Sequence, residues 1–207
     1  MLFRSLGGEY DEVFLPLHGA HQAQNAAVAL AAVEAFLGAG RDRRLDADVV
    51  REGFASVTSP GRLERVRTAP TVLLDAAHNP HGMAATAAAL RDEFTFRRLV
   101  AVVAVLADKD ARAMLEQLEP VVDAVVVTRN SSPRAMPADA LAAVATEVLG
   151  PERVRIEPEL PDAIEAAVLL AEADLAGELS GVGVLVTGSV VTVADAKWLK
   201  DRLKDAP

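Results

Sequence analysis

From Ser59 onward, short apolar runs alternate with longer segments whose apolar residues recur every three or four positions. The runs predict strands over residues 63–67, 71–74, 99–106, 124–127, 154–156 and 183–186. The intervening segments predict helices over residues 80–94, 110–118, 137–149, 160 to about 176 and 190 to about 203. The first two strands are close enough to form a hairpin. Apolar strands alternating with helices of this length imply an α/β fold, a mostly parallel, doubly wound sheet. Upstream the pattern differs. Val13, Leu15 and Leu17 alternate like a strand edge, and residues 20–37 turn helical, with Ala29, Val33, Phe36 and Leu37 on one face before Gly38-Ala39-Gly40 ends the helix. A second, short helix is expected over 45–54, with Asp46 or Asp48 near its start. Ser59-Pro60-Gly61-Arg62 then breaks the periodicity and marks the expected boundary between a segment 1–58 and a domain 59–207.

The strand at 71–74 stops at a polar cluster, Asp75-Ala76-Ala77-His78-Asn79-Pro80. Asn79 has the character of an N-cap and Pro80 suits the first helical position. A carboxylate and an imidazole therefore lie at the carboxyl end of a strand, beside amides that open a helix. In an open parallel sheet that edge binds ligands, and helix N-terminal amides favour anions. Capping accounts for Asn79 but not for the clustering of three polar side chains, so Asp75 and His78 are the first candidates for a functional site. Thr187-Gly188-Ser189 ends the last strand and opens the last helix, which assigns Ser189 to the same edge. Ala107-Asp108-Lys109-Asp110 follows another strand and belongs there too. Arg62, in a rigid turn, has the planar fork of donors that suits phosphate oxygens. Gln22 and Asn25, three apart on the early turns of the first helix, carry amides able to read a polar ring edge or a phosphate, or simply face water. Gly181-Val182-Gly183 precedes its strand and is not a dinucleotide fingerprint.

Composition narrows the chemistry. Lys+Arg 21 against Asp+Glu 30 gives a net charge of -9, which argues against a nucleic-acid surface. Lysine is confined to positions 109, 197, 200 and 204, none of them after a glycine, so no phosphate-cradling G-x-x-x-x-G-K-[ST] occurs. The absence of cysteine excludes disulfides, thiolate nucleophiles and cysteine-bound zinc. His18-x-x-His21 and His78-x-x-His81 lack the carboxylate pattern of a metal site, and no metal ligand is assigned. The first residues lack the apolar core of a signal peptide, and no apolar run is long enough for a bilayer. A soluble, cytoplasmic, monomeric protein is expected.

In combination these pieces resemble the folylpolyglutamate synthase and dihydrofolate synthase family of the Mur ligase superfamily. The resemblance rests on His21-Gln22-x-x-Asn25, Pro60-Gly61-Arg62-Leu63-Glu64, Asp75-Ala76-Ala77-His78-Asn79-Pro80, Ala107-Asp108-Lys109-Asp110 and Val186-Thr187-Gly188-Ser189, in the family's order. Asp-Ala-Ala stands where Asp-Gly-Ala is also common. The resemblance implies ATP-dependent amide formation. A folate or dihydropteroate carboxylate takes the γ-phosphoryl group, and the amine of L-glutamate attacks the acyl phosphate. It also implies contacts to ATP from Asn25, Arg62 and Asp75, with His78 and Ser189 lining the site near the glutamate and the transferring phosphoryl group. Because the P-loop is missing, the chain resembles the C-terminal portion of such an enzyme, a Rossmann-like domain preceded by a helical remnant of the central ATPase domain. Magnesium ligands and most of the folate pocket would then lie upstream. The alternatives are another Mur-type amino-acid ligase, or a stand-alone nucleotide-binding or regulatory module without catalysis.

Overall fold

The computed structural model describes residues 1–40, 43–173 and 181–199. It divides into two units, Met1–Pro60 and Gly61–Pro207. In the second, a six-stranded sheet is built from β3 (Glu64–Thr68), β4 (Thr71–Leu74), β5 (Arg98–Val103), β6 (Ala124–Val127), β7 (Val154–Ile156) and β8 (Val182–Thr187), in the order β3-β4-β8-β5-β6-β7. β3 and β4 form the expected antiparallel hairpin, and every other pairing is parallel. β4, β5, β6 and β8 are almost continuously buried, which is why they read as apolar runs and not as alternations.

Helices α3 (Pro80–Glu93), α4 (Ala111–Leu118) and α5 (Ala138–Leu149) cover one face through Met83, Leu90, Met114, Leu115, Leu118 and Leu141. The other face is covered by α6 (Leu160–Glu172) and α7 (Val190–Trp198), through Leu160, Ile164, Val193 and Ala196. The sheet is doubly wound, as its alternation implied. The last strand inserts between the second and third, so β4 sends its chain to one face while its neighbour β8 sends its chain to the other. A reversal of this kind opens a crevice at the carboxyl edge.

Helix bounds differ from expectation by one or two residues where both ends are described. The predicted ends near 176 and 203 lie outside the described residues. The predicted strand 99–106 is corrected: it stops at Val103. Ala104–Leu106 stays buried: Ala104 N still donates to Thr187 O at 3.2 Å, and beyond it the chain turns to the loop after β6, with Met136 N donating to Val105 O at 2.9 Å and Ala107 N to Arg134 O at 2.8 Å.

In the first unit, a hairpin of β1 (Phe3–Ser5) and β2 (Gly8–Tyr10) accompanies α1 (Ala20–Phe36) and α2 (Ala47–Ala55). Phe3, Tyr10, Val13, Leu15, Ala26, Leu30 and Val50 form its core. Asp46 caps α2, accepting from Asp48 N and Val49 N. Val13 and Leu15 are buried as their alternation suggested, yet they form no strand; Met1 and Val13 bond to each other instead. The orientation of α1 is the larger correction. Its buried stripe is Gln22, Ala26, Leu30 and Glu34, whereas Val33, Phe36 and Leu37 of the predicted apolar face are exposed. Gln22 accordingly does not face water.

Glu34 is fully buried and accepts from the Tyr10 hydroxyl at 2.7 Å and the Gly7 amide at 3.0 Å. Burial pushes its carboxyl up, but the Ser5 and Tyr10 hydroxyls and the Gly7 and Leu6 amides outweigh that and hold it below the usual range. Among the described residues Ser5 Oγ and Glu34 Oε2 each lack a hydrogen-bond partner, so Tyr10 and Gly7 are the formed bonds behind the effect. Burial, with the same carboxylate beside it, raises the Tyr10 hydroxyl.

Candidate functional site

The parallel register that sets Leu74 beside Val186 continues one step, with Asp75 N donating to Val186 O at 2.9 Å. Asp75 therefore stands at the mouth of the crevice, next to Thr187 and two residues from Ser189. Its side chain is buried, and three donors converge on it. Oδ1 accepts from the Thr86 hydroxyl at 2.7 Å and from Ala77 N at 3.0 Å, and Oδ2 accepts from Leu63 N at 3.0 Å. The carboxylate thus ties together the turn before β3, the loop after β4 and the second turn of α3.

The bond to Leu63 fixes the turn that carries Arg62. Gly61 has φ 73° and Leu63, a buried non-glycine residue, has φ 45°. Arg62 is therefore held between two left-handed residues, a conformation that persists only where its surroundings over-determine it. They do so here. Gly61 O accepts from Ala76 N at 2.8 Å, and Gly61 N donates to Glu64 Oε2 at 2.8 Å. Lys197 of α7 clamps Glu64 through both oxygens, at 3.0 and 2.8 Å. A Cβ on Gly61 would stand 2.8 Å from Val193 Cγ1, so the turn also packs tightly on α7. Arg62 itself is exposed and has no hydrogen bond or ion pair among the described residues.

Asn79 caps α3 by accepting from Gly82 N at 2.8 Å, with Pro80 in the first turn. Half-buried His78 sets Nδ1 2.9 Å from Ala76 O. A carbonyl oxygen only accepts, so Nδ1 carries the hydrogen and Nε2 is left as the available acceptor of the neutral ring. Ser189 caps α7, its Oγ accepting from Val191 N at 3.1 Å. Gly188, at φ 107°, lets the β8 end pass close to β5: a Cβ there would lie 2.5 Å from Ala104 O. Buried Thr187 Oγ1 has no hydrogen-bond partner among the described residues. Next to it, Thr192 Oγ1 accepts from Asn130 Nδ2 at 3.0 Å and donates to Ala104 O at 2.9 Å, joining α7 to the loop after β6.

Asp75, His78, Ser189 and the turn of Arg62 thus share one rim. Asn25 lies in the other unit, exposed on α1, donating to Gln22 Oε1 at 3.2 Å. In Ala107–Asp110, Asp110 caps α4, and the Lys109 ammonium beside Asp108 holds that carboxyl below its usual range. Further along the rim a cavity of about 780 Å³ opens between the loops after β6 and β7 and the end of α7, with Arg129, Ser131, Glu159, Asp195 and Trp198 in its wall. Among the described residues, no three His, Asp or Glu side chains are placed to hold a metal ion. Sequence reasoning missed Thr86, Leu63 and Lys197. Only Leu63 and its neighbour Glu64 stood in a quoted motif, and nothing along the chain marks residues that act across the fold.

An open α/β sheet whose reversal point presents a fixed arginine beside a helix N-terminus defines the class. Residues 61–190 match the family described as Mur ligase, glutamate ligase domain, and the chain belongs to that family. Among individual proteins, the chain is 56% identical over 205 residues to the dihydrofolate synthase/folylpolyglutamate synthase of Mycobacterium tuberculosis, covering 96% of this chain and 42% of that protein. The folylpolyglutamate synthase of M. tuberculosis complexed with ADP superposes with a TM-score of 0.89 at 55% identity, over 96% of this chain and 44% of the other. Escherichia coli FolC in complex with DHPP and ADP superposes with a TM-score of 0.76 at 30% identity, over 96% of this chain and 43% of the other. The chain therefore spans less than half the length of these relatives.

Proposed function

We propose that the chain is the C-terminal portion of an ATP-dependent folylpolyglutamate synthase, a cytoplasmic monomer that ligates L-glutamate to a folate or dihydropteroate. Residues 1–58 are then the tail of the central ATPase domain and residues 59–207 the glutamate ligase domain. The reaction transfers the γ-phosphoryl group of ATP to the acceptor's carboxylate, releasing ADP. Attack by the glutamate amine on the acyl carbon forms the amide and expels phosphate.

The observation that carries this reading is Arg62: a solvent-facing guanidinium without a partner among the described residues, on a turn held rigid from three sides. That is the preorganised cation a transferring phosphoryl group needs, because its charge is stabilised without reorganisation at the moment of reaction. Relatives solved with ADP support ATP as the phosphoryl donor, and Asn25, Arg62 and Asp75 are the residues proposed to contact it. Asp75 already accepts three hydrogen bonds, which leaves its Oδ2 one position for a nucleotide hydroxyl. Bound magnesium would neutralise phosphate charge, with ligands from the preceding part of the enzyme. His78 Nε2 takes a proton from the attacking ammonium, and the Ser189 hydroxyl, whose oxygen is occupied by a backbone amide, donates to an anionic oxygen of glutamate or of the phosphoryl group.

The test is amide formation from ATP, magnesium, glutamate and tetrahydrofolate or dihydropteroate by the whole enzyme. Arg62→Ala is expected to lower kcat/KM for ATP by about a hundredfold or more, with Arg62→Lys recovering only part. An unchanged Arg62→Ala enzyme would remove the proposal, and so would steady-state turnover by this chain alone.

A further inference from the structure

Lys197 is the charged residue of the rim to which the functional reading gives no part. It lies in the last turn of α7, and its Nζ approaches both oxygens of Glu64, at 3.0 and 2.8 Å. Only 32% of the Lys197 side chain and 25% of the Glu64 side chain is exposed. A surface pair of this kind adds little to stability by itself, but here the carboxylate has a second bond. Glu64 Oε2 accepts from the Gly61 amide at 2.8 Å, so a line of charge-assisted bonds runs from Lys197 through Glu64 and ends one residue before Arg62. The same turn meets α7 again at Val193, where Gly61 leaves no room for a methyl. Val193 and Lys197 are four apart and share a face of the helix, so α7 carries the turn at two points while its N-cap, Ser189, stands on the rim. The backbone carried there, with φ 73° at Gly61 and 45° at Leu63, persists only under such constraint. Glu64 and Asp75, the acids nearest the turn, are both engaged by other donors, which leaves the Arg62 guanidinium open to a ligand.

We infer that Lys197 is a positioning residue for the nucleotide site: acting through Glu64 and the Gly61 amide, it fixes the place of Arg62 without itself touching nucleotide or acceptor. The inference rests on the preceding functional reading and adds a residue to it. A guanidinium that meets a transferring phosphoryl group is sensitive to its position, since a misplacement of about 1 Å costs up to about a hundredfold in rate. Loss of a pair that only stabilised the fold would reduce the amount of active enzyme and leave every KM alone. Loss of the brace moves Arg62 and changes the use of ATP, while the Ser189 cap at the other end of α7 stays in place.

Two measurements test it. Hydrogen exchange at the Gly61 amide is followed by NMR in this chain, for wild type, Lys197→Met and Lys197→Arg. Lys197→Met should speed that exchange by about tenfold or more while the amides of β5 keep their wild-type rates. Lys197→Arg, whose guanidinium can still face both Glu64 oxygens, should stay near wild type. Amide formation is then measured in the whole enzyme. Lys197→Met should raise KM for ATP and lower kcat, a loss of about ten- to a hundredfold in kcat/KM, with KM for glutamate unchanged. Lys197→Arg should recover most of that loss. In an Arg62→Ala enzyme the Lys197→Met change should have no further effect, because the brace then has no guanidinium to hold. A Gly61 amide that exchanges at the wild-type rate in Lys197→Met would overturn the inference. A lowered kcat with both KM values intact, the mark of fewer folded molecules, would overturn it too, as would a full second loss on top of Arg62→Ala. Exchange involves no turnover, so the two readings fail separately: a faster Gly61 amide beside a fully active Arg62→Ala enzyme keeps Lys197 as the brace of the turn and removes the functional reading.

Discussion

Asp75 and Glu34 are both buried carboxylates held by several donors, and each ties separate pieces of chain together before it does anything else. Thr86→Val should cost about 1–2 kcal/mol in urea unfolding, since it withdraws one donor from a buried carboxylate, while Thr86→Ser should stay close to wild type. Asp75→Ala strands three donors and should cost more, about 2–4 kcal/mol. That variant therefore tests the fold as much as the ligand, and Arg62→Ala is the cleaner probe of nucleotide binding. Glu34 makes the first unit acid-sensitive. Its carboxyl titrates lower in the folded than in the unfolded chain, so its ionised form stabilises the unit above about pH 4.3, and that stabilisation vanishes as pH falls through the lower folded value. Fluorescence of Tyr10, the chain's single tyrosine, should report the loss, and Glu34→Gln should remove this component of the pH dependence. Neither role shows along the chain: Asp75 stood out for its place at a strand end, but its eleven-residue reach to Thr86 did not, and a glutamate in an alanine-rich helix looks solvated until its partners are known.

The elements of the second unit were legible because their burial is governed by the sheet they belong to. Fully buried strands appear as apolar runs and helices as repeats of three and four, and the topology follows from their alternation. Where reading failed, a partner outside the element decided the outcome. Ala104–Leu106 is as apolar as β5, but the loop after β6 takes the backbone bonds of Val105 and Leu106. β1 and β2 are three residues each, too short to establish a period. On α1 the periodicity placed Val33, Phe36 and Leu37 on one face, but the face that packs on the first unit's core is the one with Gln22, Ala26, Leu30 and Glu34. Gly188 illustrates an element end set by packing. Gly188→Ala puts a methyl against the Ala104 carbonyl in a left-handed backbone, and should cost about 3 kcal/mol or more. Thermal unfolding of that variant checks the figure, and a change within about 0.5 kcal/mol would mean that the two strand ends separate easily.

For the molecule as a whole, the rim gathers residues from positions 61 to 197, and it exists only where β4 and β8 lie side by side. Among described helices none is long and apolar enough to cross a membrane. The candidate rim was legible because three motifs each followed a strand and opened a helix; the brace from Lys197 to Glu64 was not, since 133 residues separate them. A version of the chain ending before Val182 should be poorly soluble, with wild-type solubility as the comparison, because it leaves the long edges of β4 and β5 unpaired.

The insertion of β8 has a consequence for biosynthesis. A ribosome delivers this strand last, after every other piece of the sheet has emerged, into a slot between two strands made some eighty residues or more earlier. The nascent polypeptide must therefore keep that slot open or shielded until β8 emerges, and a message cut short before Val182 yields a product in which the rim cannot assemble.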